Sequence, residues 1–459
     1  MTDTLLLILA CLYALSSAIY IMREIHFIKT SQHLTLISIA RLMYTFVYGL
    51  LPFLIYARMA FGVSEISLDR KNWASLFLWF FFSVIGYLCI CAGYQLGQTH
   101  TGRFLKSRTE EKPVHTENTV FLCAVIVLVV GWISLFLWTR AYGSIWTFIE
   151  NANAIRAGYG DRYNPLAFFT HFAKTIQYAL YAFWALFLHT SSGRKLLYLP
   201  FLLIAFVGTV TYTLASDSRA SIGFTLIACA FIYISKKVRE DRRAIGKNIL
   251  KIALIGLAAY LCIVWSDPIM RYIRFGTEID LKDFDLLTSI IGEFGFIPRT
   301  QQKALQVWYS GEMHYMIIND IINALTAWLP SRFIPFALPT GLWAYNTSLF
   351  PSTFSGTVPT DILSAGIYHV GILGICLLPF LYGRVLSFVE KKCRQRADEW
   401  YSDIVYYGIA TIIINSISHF RIESLVLGAF PLFVFLIIWQ TCSAYGKRRN
   451  NQPVKSAKG

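Results

Sequence analysis

The sequence carries no G-x-x-x-x-G-K-[S/T], no H-E-x-x-H and no G-x-S-x-G. P-loop nucleotide hydrolysis, zinc proteolysis and α/β-hydrolase chemistry therefore lack their anchors. No C-x-x-C occurs among the nine cysteines, eight of which fall inside or beside apolar runs, which argues against a disulfide framework or a zinc centre. Charge is scarce at 15% of residues, and acid is scarcer than base, 26 against 41. The net charge of +15 is spread over short loops instead of one basic face, so it reads as membrane topology and excludes nucleic acid as a partner. No internal repeat and no matched pair of Gly/Pro-broken helices is visible, which weakens an alternating-access transporter.

What the chain has in abundance is apolar surface. With 56% hydrophobic and 16% aromatic residues and a mean hydropathy of +0.52, it cannot be an ordinary soluble globule, whose apolar share is about 45–50%. About 20 apolar residues cross roughly 30 Å of hydrocarbon. Eleven runs qualify: 5–22, 34–55, 73–97, 120–138, 166–189, 196–215, 220–235, 249–266, 362–386, 404–419 and 424–444. The expected fold is all-α, a polytopic transmembrane helical bundle. Its spans 1–8 lie in residues 1–266, a large extracytoplasmic loop in 267–361, spans 9–11 in 362–446, and a basic cytoplasmic tail in 447–459. The first run follows Met-Thr-Asp with no basic n-region, so it reads as a retained helix.

Lysine and arginine set the orientation. With the C-terminus inside, six short cytoplasmic segments hold 23 basic residues and the short outer segments hold 8. The positive-inside rule favours that arrangement, with the N-terminus outside. The 267–361 segment then lies outside, and its nine acids against six bases suit a translocated stretch. It holds seven of the fourteen prolines, and Ile317, Ile318, Ile321, Ile322, Leu325, Trp328 and Leu329 recur in it at helical spacing, opposite Asn319, Asp320, Asn323 and Thr326. Such a helix lies along a membrane surface or caps a bundle, and the segment reads as a folded lid over a site. Asn346-Thr347-Ser348 matches a glycosylation sequon but carries no weight as a three-residue pattern.

Arginines on the outer side are the unusual feature. Arg219 and Arg421 sit in tight hinges between neighbouring spans, and Arg271, Arg274 and Arg299 lie in the large loop. A guanidinium fork matches phosphate oxygens and stays charged, so this set suits a lipid-linked phosphate or pyrophosphate; the alternative is interfacial anchoring. Lys174, about ten residues into the fifth span and one turn beyond His171, is costly in hydrocarbon and is expected to face a polar cavity. Arg41, near the other end of its span, reads as an anchor. The candidate acids and bases are Glu423, Asp361 and His369, with His419 beside them. Pairing of Glu423 with Arg421 is an equal alternative for that residue. Asp283-Phe284-Asp285 has the spacing of a metal-binding acidic pair, but such pairs are common on solvated loops; no metal site is expected.

Ser218-Arg219-Ala220, Arg271-Tyr272-Ile273-Arg274-Phe275-Gly276, Leu329-Pro330-Ser331-Arg332, Pro359-Thr360-Asp361 and Arg421-Ile422-Glu423-Ser424, set in many spans with one late outer loop, resemble the bacterial polysaccharide polymerases of the O-antigen and enterobacterial-common-antigen type. None of the chain's R-x-x-x-G stretches is taken as the tidy pair of some members. The resemblance implies a GT-C-like glycosyltransferase bundle without cofactor, working at the outer face of the membrane. It would join undecaprenyl-pyrophosphate-linked oligosaccharide repeat units, one as donor and one as acceptor, in O-antigen, capsule or exopolysaccharide synthesis. A chain-length regulator and a flippase are the accompanying partners, besides the bilayer itself. By residue it implies that Arg219, Arg274 and Arg421 hold the pyrophosphate, that Arg299 and the loop hold glycan, and that Trp308, Tyr309, Trp328, Trp343 and Tyr345 stack on sugars. Two alternatives remain: an O-antigen ligase or other lipid-dependent glycosyltransferase, and a flippase or transporter of lipid-linked glycans.

Overall fold

The computed structural model describes residues 2–31, 35–63, 68, 72–100, 117–152, 155, 164–216, 218–240, 254, 272, 286–329, 333–350, 357–394 and 400–450. Among them the chain is helical, with no strand. In order the helices are α1 Thr2–Ser31, α2 Leu36–Thr45, α3 Leu51–Ala60, α4 Trp73–His100, α5 Glu117–Thr139 and α6 Ile145–Glu150. Next come α7 Phe169–Ala173, α8 Ile176–His189, α9 Ser192–Ala215, α10 Arg219–Glu240, α11 Leu286–Phe294 and α12 Phe296–Ser310. The last six are α13 Ile317–Thr326, α14 Leu342–Ser348, α15 Ile362–Val370, α16 Gly374–Arg394, α17 Ser402–Ser418 and α18 Ile422–Asn450.

Seven stretches among the described residues are long and apolar enough to cross a membrane: Asp3–Thr30, Leu36–Ala60, Trp73–Thr99, Glu117–Tyr142, Gly193–Ala215, Ile362–Cys393 and Ile422–Tyr445. The second joins α2 and α3 through a π turn at Phe46–Leu50. Of the other runs expected to span, 249–266 lies almost wholly outside the described residues, 220–235 forms α10, and 404–419 forms α17. The run 166–189 is not one helix. Phe169, Thr170 and His171 donate to carbonyls three residues back, and the Thr175 hydroxyl takes the Phe172 carbonyl at 2.7 Å. That side chain competes with the helix ladder, and the chain winds tightly through Lys174 before α8 begins. The run 362–386 is likewise bent. Gly371 has φ +75° and ψ −161°, a conformation that a Cβ would oppose, and α15 folds back until Gly366 and Gly374 touch backbone to backbone.

The tightest helix pair is α4 with α16. A Cβ on Gly93 would stand 2.0 Å from the Phe380 carbonyl oxygen, and one on Gly383 would stand 2.2 Å from that of Ile90. Small residues let two backbones approach where apolar burial gives helices little reason to associate.

The segments that charge counting puts on one side meet at one end of the bundle. There Arg58 donates to Thr288 at 3.1 Å, the Phe420 amide donates to the Thr360 carbonyl while the Thr360 hydroxyl donates to the Phe420 carbonyl, and Phe296 packs on His419. The opposite end is stitched by ion pairs and charged hydrogen bonds. Arg41 pairs with Glu24 at 3.1 Å, both buried, so it is an internal partner and not the lipid-facing anchor expected from its position. Glu390 accepts from the Leu36 amide at 2.6 Å and from Tyr406, Arg239 pairs with Asp403, and Lys391 caps the Gly97 and Gln98 carbonyls.

Because Gly93 faces backbone, a Gly93→Val protein should be strongly destabilised, by a few kcal/mol as for other overpacked cores, about 1–3. Gly193→Val, with nothing within 4 Å of its Cβ, should cost less than about 0.5 kcal/mol. Detergent-solubilised thermal unfolding of the two variants checks this contrast.

Candidate functional site: a polar cavity at one end of the bundle

A cavity of about 300 Å³ lies beside the break at Lys174, between α7–α8, the end of α9, the start of α10, the end of α17 and the start of α18. Its wall combines many polar groups with apolar surface from Phe224, Ile412, Leu425, Leu427 and the rings of Tyr178, Tyr181 and Tyr212. Lys174 and Arg421 supply charge, His171 and His419 imidazoles, Gln177 and Asn415 amides, and Thr170, Ser216, Ser218, Ser221, Thr225, Thr411, Ser416 and Ser424 hydroxyls. No carboxylate lines it among the described residues. Gln177 is aimed by its 2.7 Å bond to Ser221. Pro431 has no N–H, so the Leu427 carbonyl lacks its i+4 partner within α18.

Lys174 reaches this wall because the chain is wound tightly at its own position; it makes no ion pair among the described residues. Arg421 is held from three sides. Its Nη1 lies 3.1 Å from Glu423, its Nε donates to Ser424 at 2.6 Å, and its guanidinium stands 4.1 Å above the Trp343 ring. The Trp343 indole donates to the Phe420 carbonyl at 3.2 Å, fixing the ring that carries the cation. Burial lowers the Arg421 pKa from its ordinary value, while Glu423 and Asp320 pull it back. At that starting value it stays charged.

Behind Arg421 lies a carboxylate that the sequence reading placed only on a polar helix face. Asp320, fully buried, accepts the Ile422 amide at 2.7 Å and so caps α18. Its Oδ2 is 3.3 Å from His369 Nε2, also buried. The signal was available: an acid on α13 whose helical neighbours Asn319 and Asn323 are also polar.

The three expected acid–base residues do not open onto the cavity. Asp361 is completely buried as the N-cap of α15, accepting from the Leu363 and Ser364 amides at 3.0 and 3.2 Å and from the Tyr48 and Ser364 hydroxyls. Burial raises its pKa, and those hydrogen bonds oppose the rise. With its lone pairs engaged it is a structural cap, a correction to its reading as a base. His369 faces Asp320, and Glu423 flanks Arg421. The titratable groups on the wall, apart from the two cations, are His171, His419 and the tyrosines Tyr178, Tyr181 and Tyr212.

No family model, characterised protein or solved structure matches this chain. The site therefore rests on its own geometry.

Of the expected phosphate-binding arginines, the structure brings Arg421 to the cavity. Arg219 opens α10 beside the wall residues Ser218 and Ser221, its side chain outside the described set. Arg271 and Arg274 fall outside the described residues, as do Asp283 and Asp285. Arg299 is on α12, half-buried, its pKa lowered by that burial. The aromatics divide: Trp343 is at the site, Tyr345 packs on Tyr368, Trp308 on Tyr309, and Trp328 on Phe430. Asn346, the sequon residue, is buried and bonds to the Val358 and Pro359 carbonyls and Tyr368, so no glycan sits there.

The role of Asp361 can be separated from catalysis by isostere. Asp361→Asn keeps an acceptor for the α15 amides and should leave both fold and activity close to wild type. Asp361→Ala removes the cap and orphans the Tyr48 hydroxyl, costing about 2–4 kcal/mol. Fluorescence-monitored SDS titration measures the difference; an inactive but fully stable Asp361→Asn protein would restore it as a catalytic group.

Proposed function

We propose that the chain is a membrane glycosyltransferase that polymerises polyprenyl-pyrophosphate-linked oligosaccharide repeat units, with the cavity receiving the pyrophosphate and reducing end of the donor. The observation that carries this reading is the cavity wall itself. Two basic side chains, Lys174 and the oriented Arg421, share it with hydroxyls and amides and no carboxylate among the described residues. A dianionic pyrophosphate needs cations and neutral donors, and a carboxylate on the same wall would repel it. Sugar hydroxyls are both donors and acceptors, as serine and threonine hydroxyls are.

In this reading the acceptor hydroxyl attacks the anomeric carbon of the donor sugar. The bond to the pyrophosphate oxygen breaks, and the lipid pyrophosphate leaves against Arg421 and Lys174, which stabilise the charge that develops. The hydroxyl proton passes to an imidazole on the wall. His419, next to Arg421 and 2.9 Å from the Ser418 hydroxyl through Nδ1, is the better placed of the two. The donor is already activated, in keeping with the missing nucleotide motifs. The outer face of a bacterial inner membrane, with the basic tail inside, belongs to the same reading and rests on the lysine and arginine distribution.

A carrier for the same glycans would have to open the cavity to both faces. The buried Arg41–Glu24 pair and the Glu390 and Asp403 contacts at the far end favour the enzyme, because separating paired buried charges is costly. The ligase alternative shares the donor and differs only in the acceptor, which an assay decides.

Purified protein given lipid-linked repeat units should extend them, with EDTA present. Arg421→Lys keeps charge but loses the fork, and Lys174→Met loses the charge; each should reduce turnover about 100-fold or more, the usual loss for one charge-stabilising donor. Undiminished polymer from both variants rejects the reading. Transfer only to a lipid A core acceptor would make it a ligase.

A further inference from the structure

Helix α13 is amphipathic in the inverted sense. Its polar residues Asp320 and Asn323 are buried, while Ile318 and Leu325 are 66% and 76% exposed. Trp328, Leu329, Phe333, Phe336 and Leu338 continue the exposed apolar surface beyond it. No charged residue occurs from Phe333 to Thr360, and the one charge in α13, Asp320, points inward. A water-facing loop helix would present the opposite pattern.

Three contacts give its direction and depth. Asp320 meets the amide of Ile422, the first residue of α18 and of a candidate span. Trp328 lies 5.7 Å from Phe430 and 5.6 Å from Phe433. The two helices therefore run side by side in the same direction. Eight to eleven residues of α18 correspond to about 12–16 Å at 1.5 Å per residue, close to half of the roughly 30 Å hydrocarbon thickness. The exposed face of α13 is continuous with Phe433 and Ile437 on the outward surface of α18. The return is also recorded: Asn323 donates to the Pro339 carbonyl at 3.2 Å and Asn319, one turn nearer the start of α13, to the Thr340 carbonyl at 3.3 Å. Irregular backbone at membrane depth survives only when protein groups satisfy it.

We propose that α13 and the 333–341 segment are the two arms of a re-entrant element: they enter and leave the bilayer at the site's end of the bundle beside α18, with the apolar face of α13 against lipid acyl chains. The occupant of that face is the hydrocarbon of the adjoining leaflet. Through Trp328 and Phe430, which in turn packs on Phe168, His171 and Phe172, the element backs the His171 side of the cavity wall. It does so whatever ligand the cavity takes.

Nitroxide labels in liposome-reconstituted protein test this. Leu325→Cys and Leu329→Cys should show an oxygen-to-nickel-chelate accessibility ratio like that of Phe433→Cys and severalfold above that of Gly311→Cys, with Ile318→Cys between. Where a labelled variant does not reconstitute, wild-type protein is photolabelled with a phospholipid carrying a diazirine midway along its acyl chain; adducts should fall on the peptide containing Leu325 and Leu329. Preferential nickel access at 325 and 329, absence of acyl-chain adducts there, or disulfide or photo-cross-links from Leu325 to a second copy or another protein would each overturn the proposal.

Discussion

A backbone amide or carbonyl left without a partner in hydrocarbon costs several kcal/mol, and that constraint shapes every irregular feature of this bundle. Among the described residues the chain departs from helix around Lys174, at Gly371 and after α13, the last within the bilayer in the proposed re-entrant element. Each departure is paid for locally. Thr175 takes a carbonyl at the first, glycine and the Gly366–Gly374 contact allow the second, and Asn319 and Asn323 serve the third. All three lie around the same end of the bundle. Irregularity is thus concentrated beside the cavity, while the α4–α16 pair and the far end stay regular and closely packed.

Arg421 joins the cavity to the segments between α12 and α15. The residues that orient it belong to separate pieces of chain: Trp343 on α14, Glu423 and Ser424 on α18, and Asp320 on α13 through the Ile422 amide. The neighbouring Thr360–Phe420 exchange adds a fourth. A guanidinium with its orientation set before a ligand arrives loses less entropy on binding. The same arrangement means that displacement of α13 or α14 is felt at the cation, which couples these two helices to the site mechanically.

Much of this was legible in residue order, and the failures have physical causes. The depth of Lys174 in an apolar run led to a polar cavity, because hydrocarbon leaves a lysine few other places. The rest of the wall was legible too but went unread: Ser221 with Thr225, Thr411 with Asn415, and Thr170 with Lys174 each stand four residues apart, one helical face of polar groups within a span. Asp361 was misread although an Asp directly before Ile362-Leu363 is an ordinary helix N-cap signal. The polarity of α13 was visible as an amphipathic pattern, but amphipathy is silent about which face is wet. In lipid the usual assignment reverses. Gly371 and Thr175 broke runs that hydropathy alone counted as continuous, since hydropathy averages over side chains and backbone breaks depend on single ones.

The separation of charge within the molecule bears on what the cavity can hold. Acids and bases at the far end are spent on one another, as with Arg41 and Glu24 or Arg239 and Asp403, and contribute rigidity without reactivity. Near the cavity the acids stand behind the cation, Glu423 beside Arg421 and Asp320 behind it, while Lys174 has no counter-ion among the described residues. Opposite charge placed outside a wall stabilises the cation in the empty protein, and an anion inside the wall then meets a positive surface screened on its far side only. An anionic ligand with polar substituents completes that arrangement, whereas a cation or an apolar molecule would leave Lys174 buried without compensation. That complementarity is the electrostatic argument for the proposed pyrophosphate ligand, which would supply Lys174 with the opposite charge that no described residue offers it.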